Sequence, residues 1–403
     1  MDRRTFTQLF TLAAGSLGLM QAAGQAQEQD ADDQRNAKTG NNLNARGPSS
    51  KAVNVEDLRQ LAKAALPKAS FDYIATGSAD EITLRENVAA FQRLRVFPPL
   101  MKGVSDADLS TTALGQKIQL PVLLAPVAVQ RMYHPQGGLA AARAAAGAGT
   151  IYGVSSSVGN SVEEIAAAGN GPKWFQLYVP KDRAVARTLV QRVERAGYKA
   201  IIVTVDLGEW KDADQRNRFS LPKEMLVKHL RDVGYDQITD RMSYEAVSEF
   251  NANAWDLSLS WEFFDWLRGI TKLPILIKGV LRPEDARKAV SMGLDGIVVS
   301  NHGGRRLDGM PATIDVLPSI VEAVGGKAEI YMDGGVRRGT DVLKALAFGA
   351  RAVLIGRPYA WALAADGEAG VARVIKLFRE ELLNAMVATG CRKLSEIERS
   401  LIA

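Results

Sequence analysis

The chain has 403 residues, 47% apolar and 24% charged, with a formal net charge of +5 and an isoelectric point near 9.1. That length suits one large α/β domain or two small ones; the basic residues are scattered rather than gathered in a tract with aromatics, so anionic small molecules and not nucleic acids are the expected partners. One cysteine, Cys391, excludes an internal disulfide and a cysteine-held metal, and three histidines, His134, His229 and His302, leave no polyhistidine metal site to expect.

The chain opens MDRRTFTQLFTLAAGSLGLMQAAGQAQEQ: a paired arginine, an apolar run from Leu9 to Met20, then small residues. The run is shorter than the roughly 20 residues of a membrane span. Its three-part layout is that of an export signal, and Arg3-Arg4-x-Phe6 resembles a twin-arginine signal, here assigned to residues 1–26 with cleavage near Ala26. An amphipathic N-terminal helix is the alternative. Residues 27–52 are polar and nearly free of large apolar side chains, the composition of a disordered tether, and residues 53–403 form the expected folded domain. VEDLRQLAKAAL predicts a helix capped by Asn54.

From residue 120 onward, eight short apolar runs recur: PVLLA (121–125), TIYGV (150–154), WFQLY (174–178), AIIVTV (200–205), PILIK (274–278), GIVVS (296–300), EIYMD (329–333) and AVLIG (352–356). Segments with helical spacing, such as DRAVARTLVQRVERAG and GTDVLKALAFGA, lie between them. Eight repeats of strand then helix predict a (β/α)8 TIM barrel preceded by an N-terminal helical segment; a doubly wound open sheet uses the same units. About 70 residues separate the fourth run from the fifth. LPKEMLVKHLRDVG and SLSWEFFDWLRGI both look helical there, so an inserted lid is expected.

Active sites of such barrels sit at the carboxyl ends of the strands. Polar residues recur at those ends: Pro126 to Gln130, Ser155 to Ser157, Gln176 and Tyr178, Thr204 and Asp206, Lys278, Ser300 to Arg306, Asp333 to Arg338, and Gly356 with Arg357. In DGGVRRGTD and IGRP, glycines let the backbone approach an anion while Arg337 and Arg357 supply charge, the makings of a phosphate cradle rather than of turns with solvated arginines. His302 has the residue type for proton transfer, and Asp206 could hold its imidazole. Lys278 ends an apolar strand, where a cation needs a facing anion. Tyr73 and Tyr178 are equally readable as amphipathic core tyrosines.

Taken together, LPKASFDYIATGSADEITLREN, APVAVQRMYHPQG, WFQLYV, TVD followed by DQRNRF, LPILIKGV, VSNHGGRRLDGMPAT, DGGVRRGTDVLKALAFGA and IGRP resemble the FMN-dependent α-hydroxy acid oxidases and dehydrogenases, the glycolate oxidase and lactate oxidase group, over roughly residues 53–400. The resemblance implies oxidation of an L-2-hydroxy acid, lactate-like or bulkier, to the 2-keto acid. His302 would be the base paired with Asp206, Tyr178 would bond the substrate hydroxyl, and Tyr73 and Arg305 would grip its carboxylate. FMN would contact the backbone of Pro126, Val127 and Ala128, the side chains of Ser155, Gln176, Thr204, Lys278, Ser300 and Asp333, and, through its phosphate, Gly335, Arg337, Gly356 and Arg357. Lys278 would stabilise the negative charge of the reduced ring. The flavin would be reoxidised by oxygen, a quinone or a cytochrome, with Ala128 leaning toward oxygen; a homo-oligomer, a tetramer by resemblance, and peripheral membrane contact are further expectations. Folded export with its cofactor would place the enzyme in the periplasm.

Two departures stand out. The family's second carboxylate-binding arginine, expected shortly after TVD, is absent, and Lys211 lies nearest that place; Ser157 stands where glycolate oxidase has a tryptophan, which predicts a wider pocket. An FMN barrel with a different redox or isomerase substrate, or a flavin-binding protein that has lost hydroxy-acid activity, are the alternatives.

Overall fold

The computed structural model describes residues 47–208, 212–217 and 219–403; the proposed export signal and Lys211 lie outside them. Of the tether expected over residues 27–52, the last part instead docks on the barrel. Pro48–Lys51 forms a 3₁₀ turn, and the Ser49 hydroxyl donates to Asp366 at 2.6 Å. The helix predicted after Asn54 runs Val55–Ala65, with the Asn54 side chain accepting from the Asp57 amide at 2.9 Å. Helices Lys68–Ala75 and Ile82–Arg93 follow.

A hairpin the sequence did not suggest, β1 (Thr111–Ala113) and β2 (Gln116–Ile118), precedes the barrel. The barrel strands are β3 (Val122–Leu124), β4 (Tyr152–Ser155), β5 (Lys173–Leu177), β6 (Ala200–Thr204), β7 (Ile275–Val280), β8 (Gly296–Val299), β9 (Glu329–Met332) and β10 (Ala352–Ile355). They pair in parallel and in chain order, and β10 closes on β3. Closure decides between the two expected architectures in favour of the eight-stranded barrel.

Side chains alternate across each strand, and this parity builds the site. Leu123, Ile151, Trp174, Ala200, Ile202, Leu276, Val298, Tyr331, Ala352 and Leu354 fill one buried cluster inside the barrel, joined by Ala113 and Ile118 of the hairpin, which plugs the amino-terminal end. Their neighbours, such as Phe175, Ile201, Val203, Ile277 and Val299, belong to the second core between strands and helices. Two residues further along the inward set come Gln176, Thr204, Lys278, Ser300, Asp333 and Gly356, and Ser155, four residues beyond Ile151, pairs with Gln176 in the same layer. The inward face is therefore apolar below and polar in its top layer.

In the long β6–β7 connection the two predicted helices are present as Lys223–Val233 and Glu262–Arg268, with Asp212–Asn217 and Tyr244–Asn253 in addition. The insertion is tied to the segment after β5: the Lys181 amide donates to the Ala254 carbonyl and the Asp256 amide to that of Val179, each at 2.8 Å. Glu262–Arg268 leads directly into β7 and serves as the barrel helix there. The lid proper ends before it.

Candidate active site

Ser155, Lys278, Asp333 and Gly356 of the polar top layer line the floor of a cleft at the carboxyl end of the barrel. Lys278 is buried on this floor. Its Nζ donates to Ser300 Oγ at 2.8 Å and lies 3.3 Å from Asp333, while Ser300 donates to Asp333 at 2.7 Å. Burial works against the lysine's charge, but Asp333 and Asp206 outweigh it and raise its pKa, so a fixed cation faces the cavity. Beside it, Ser155 Oγ donates to Gln176 Oε1 at 3.0 Å. The Gln176 amide nitrogen and the Thr204 hydroxyl are buried with no partner among the described residues. Buried polar atoms left this way are costly and point to a ligand that pairs with them.

Above the floor stands His302, whose backbone is in the left-handed region at φ 58°. Its amide donates to Ser300 Oγ at 3.0 Å, which holds this uncommon conformation. Nδ1 lies 3.0 Å from Asp206 Oδ1. Because a carboxylate only accepts, Nδ1 carries the proton and Nε2 offers its lone pair to the cleft. Asp206 fits there because Gly279, at φ +116°, has no side chain: a Cβ would come within 2.8 Å of the Asp206 Cβ. Burial pushes the His302 pKa down to about 4; Asp206 opposes this, whereas Arg306 and Lys278 reinforce it. Asp206 is itself held below its ordinary value: burial raises it, but His302 and Lys278 together prevail.

The walls come from distant elements. The Tyr178 hydroxyl lies 3.4 Å from His302 Nε2 and accepts from Arg306 at 2.8 Å. Arg305 turns to the opposite wall, donating to the Tyr73 carbonyl at 2.6 Å with its guanidinium 4.9 Å from the Tyr73 ring. Phe219, at the end of the DQRNRF stretch, stacks on Tyr73 with ring centres 4.4 Å apart. The loop after β8 is fixed from below: Asp308 accepts from the Ile82 and Thr83 amides at 3.1 and 2.8 Å, and Asn87 and Asn301 exchange amide hydrogen bonds.

At the other end of the cleft Arg337, Arg357, Gly335 and Gly356 converge. Gly356 precedes the helical segment Arg357–Ala388, which is broken at Asp366 and Gly367 and whose amino end favours an anion. Arg357 donates to the carbonyls of Ile74, Gly303 and Thr76 at 2.7–2.9 Å. Burial first, then the charges of Arg305 and Arg337, hold its pKa well below the ordinary value, and burial takes Arg337 down to about 10. Cations so destabilised in one place mark an anion site. Gly335 is required by space: at φ +84°, a Cβ would lie 1.9 Å from the Asn87 carbonyl oxygen.

Pro126, Val127, Ala128 and Ser155 line the same cleft; Gln176, Thr204 and Ser300 are not among its lining residues but stand in the strand-end layer directly beside Ser155 and Lys278. Behind Pro126–Ala128, buried Gln130 donates to the Val127 carbonyl and to the hydroxyls of Tyr152 and Tyr359. Sequence reasoning gave no separate role to Tyr133 or Arg306, which also line the cleft. The second arginine of GGRR was the one available signal for Arg306. Ser157 is not among the lining residues; its hydroxyl lies 3.4 Å from His229 Nε2, and His229 stacks on Trp255 at 5.4 Å. Trp255 in turn meets Tyr178 edge-on at 6.4 Å.

Residues 62–403 match the model of a family described as FMN-dependent dehydrogenase. The chain is 48% identical to human 2-hydroxyacid oxidase 1, covering 86% of this chain and 95% of that protein. It is 49% identical to glycolate oxidase of Spinacia oleracea, covering 87% and 95%. Among solved structures, mandelate oxidase with (S)-4-hydroxymandelic acid superposes with a TM-score of 0.80 at 42% identity, covering 87% of this chain and 98% of that one.

Proposed function

From the premise that this chain belongs to the FMN-dependent dehydrogenase family, we propose that it oxidises an L-2-hydroxy acid to the 2-keto acid. The observation that carries this reading is the His302–Asp206 pair, with Tyr178 and Arg305 beside it, above a floor holding Lys278 and the unpartnered atoms of Gln176 and Thr204.

The residues present fit FMN. Gln176 and Thr204 would hold the flavin ring through their unpaired polar atoms and Lys278 through its charge, and Arg337, Gly335, Gly356 and Arg357 would cradle its phosphate. When bound, FMN supplies a two-electron acceptor for the pair leaving the substrate carbon. The protein binds the carboxylate through Arg305 and Tyr73 and orients the hydroxyl toward Tyr178. His302 Nε2 takes a proton, and Asp206 stabilises the imidazolium that forms. Before substrate arrives, burial and the adjacent cations keep the imidazole neutral and therefore able to accept. An anionic substrate offsets those cations and makes His302 more basic when the proton must move.

Ser157 lies outside the cleft lining, so the wider pocket expected from it does not follow; the likeness to mandelate oxidase is what supports a substrate with a side chain larger than that of glycolate, up to an aryl group. The paired arginine and apolar run near the amino terminus support twin-arginine export of a loaded, folded enzyme to the periplasm. Oxygen, a quinone or a cytochrome would then reoxidise it, at a peripheral membrane contact for the respiratory acceptors, and the working form would be a homo-oligomer.

The test is anaerobic visible spectroscopy of the FMN-loaded chain titrated with glycolate, lactate, branched and aromatic 2-hydroxy acids of both hands. Bleaching by an L-acid larger than glycolate is the expected result. Bound flavin that no acid bleaches would refute the reading, and readmitting air separates oxygen from other acceptors.

A further inference from the structure

Two adjacent arginines on the loop after β8 fan to opposite walls of the cleft. Arg305 reaches Tyr73 on the helix Lys68–Ala75. Arg306 reaches the other way: one terminal nitrogen donates to the Tyr178 hydroxyl at 2.8 Å and the other to the Gly208 carbonyl at 3.0 Å, with the guanidinium 5.7 Å from the Tyr178 ring centre. His302 lies on the same loop and faces Tyr178 between them. Gly208 belongs to the segment after TVD, in which no arginine precedes Arg216.

We propose that Arg306, reaching from the β8 loop to the Gly208 carbonyl, is the second cation of the substrate-carboxylate site, the role for which Lys211 was the candidate in the sequence. The inference rests on the hydroxy-acid reading above. A carboxylate between Arg305 and Arg306 would be gripped from two sides, with the neighbouring carbon and its hydroxyl presented to His302 and Tyr178. Two planar guanidiniums specify the orientation of a flat carboxylate more strictly than one guanidinium and a flexible ammonium do. The hydrogen bond to Tyr178 couples the two functions: the group that orients the substrate hydroxyl is itself held by the group that holds the carboxylate. Electrostatics agree, since the charge of Arg306 acts on His302 to lower its pKa and on Asp206 likewise.

A competing role is recognition of a second, distal carboxylate, which would make dicarboxylic acids the preferred substrates. Binding to FMN-loaded full-length enzyme separates the two, read from the flavin band during titration with pyruvate and with 2-oxoglutarate, without turnover. In Arg306→Gln, loss of a charge-assisted contact should weaken both anions by roughly 10- to 100-fold, Arg306→Lys should recover part of it, and FMN should stay bound. The acid limb of kcat/KM should also move to higher pH in Arg306→Gln, because a cation that holds His302 neutral has gone; a merely structural role would not move it. Weakening of 2-oxoglutarate alone would assign Arg306 to a distal carboxylate and overturn the proposal. So would unchanged affinities in Arg306→Gln, or a larger loss in Lys211→Met than in Arg306→Gln. If neither anion perturbs the flavin of the wild-type enzyme, the hydroxy-acid reading itself fails, which the variants alone could not reveal.

Discussion

His302 combines a left-handed backbone, a carboxylate on one ring nitrogen and a tyrosine hydroxyl facing the other. Its sequence context announced a site but not its basicity, which depends on burial, on Asp206 and Lys278 at two other strand ends and on Arg306 of its own loop. With its pKa pushed to about 4, the imidazole is neutral at physiological pH, so kcat/KM should rise with pH only through about 4 and stay level from there to neutrality. A limb near the ordinary histidine value of 6.5 would contradict this placement. His302→Ala should lose roughly 10²- to 10⁴-fold in turnover while keeping the yellow flavin, as absorbance and steady-state rates would show. Lys278 makes the complementary case. Its replacement by methionine leaves Asp333 buried without its cation, a change of about 3–5 kcal/mol for a broken buried pair, and should appear as a lower melting temperature together with weaker FMN retention. Such a cost at a strand end is why the lysine was conspicuous in sequence; that Asp333, 55 residues away, answers it was not visible there.

At the scale of elements, the helix Ile82–Arg93 has no cap of its own: Glu81 at its start is left-handed and makes no side-chain capping bond. Asp308 supplies the cap from 225 residues away and in doing so fixes the loop that carries His302, Arg305 and Arg306. Asp308→Ala should cost about 1 kcal/mol or somewhat more, as cap removals do, and raise KM as the loop loosens; thermal melts and steady-state kinetics on the same variant would register both. A variant with a lowered melting temperature but wild-type KM would mean that the loop does not depend on the cap. Gly335 shows an equally non-local constraint. Its DGG context advertised a turn, but the need for glycine comes from the Asn87 carbonyl, so Gly335→Ala should lose the anion cradle and with it FMN, measured as flavin released on gel filtration. The hairpin plug was missed because each of its strands has only three residues, too short for an alternating pattern to register. The long β6–β7 connection was legible as helical at two places because Lys223–Val233 and Glu262–Arg268 each hold a clear apolar face.

Over the whole molecule, two buried histidines link folding to pH. Burial takes His229 to about 4, as it does His302, whereas both titrate near 6.5 when unfolded. A depressed folded pKa means that the unfolded chain binds protons the native chain refuses, so stability is fully present above about 6.5 and declines as pH falls toward 4. The melting temperature should therefore drop between pH 7.5 and 5. The slope should be shallower in His229→Gln, which keeps a polar group beside Ser157 without one of the two titrations. An identical slope in the variant would show that His229 does not contribute.

Sequence by itself determined the strand–helix rhythm, its count of eight, and the switch from apolar to polar two residues later along the inward face of most strands. Because barrel strands run parallel and converge, that switch alone places Ser155, Gln176, Thr204, Lys278, Ser300 and Asp333 in one layer. What only the tertiary structure decided is who meets whom within and above that layer: Asp206 with His302 across 96 residues, Asp308 with the start of a helix before the barrel, and the opposite directions taken by Arg305 and Arg306. The physical reason is that a strand's side-chain direction follows from a local period of two, whereas a loop side chain points where distant partners and space allow, and no local period encodes either.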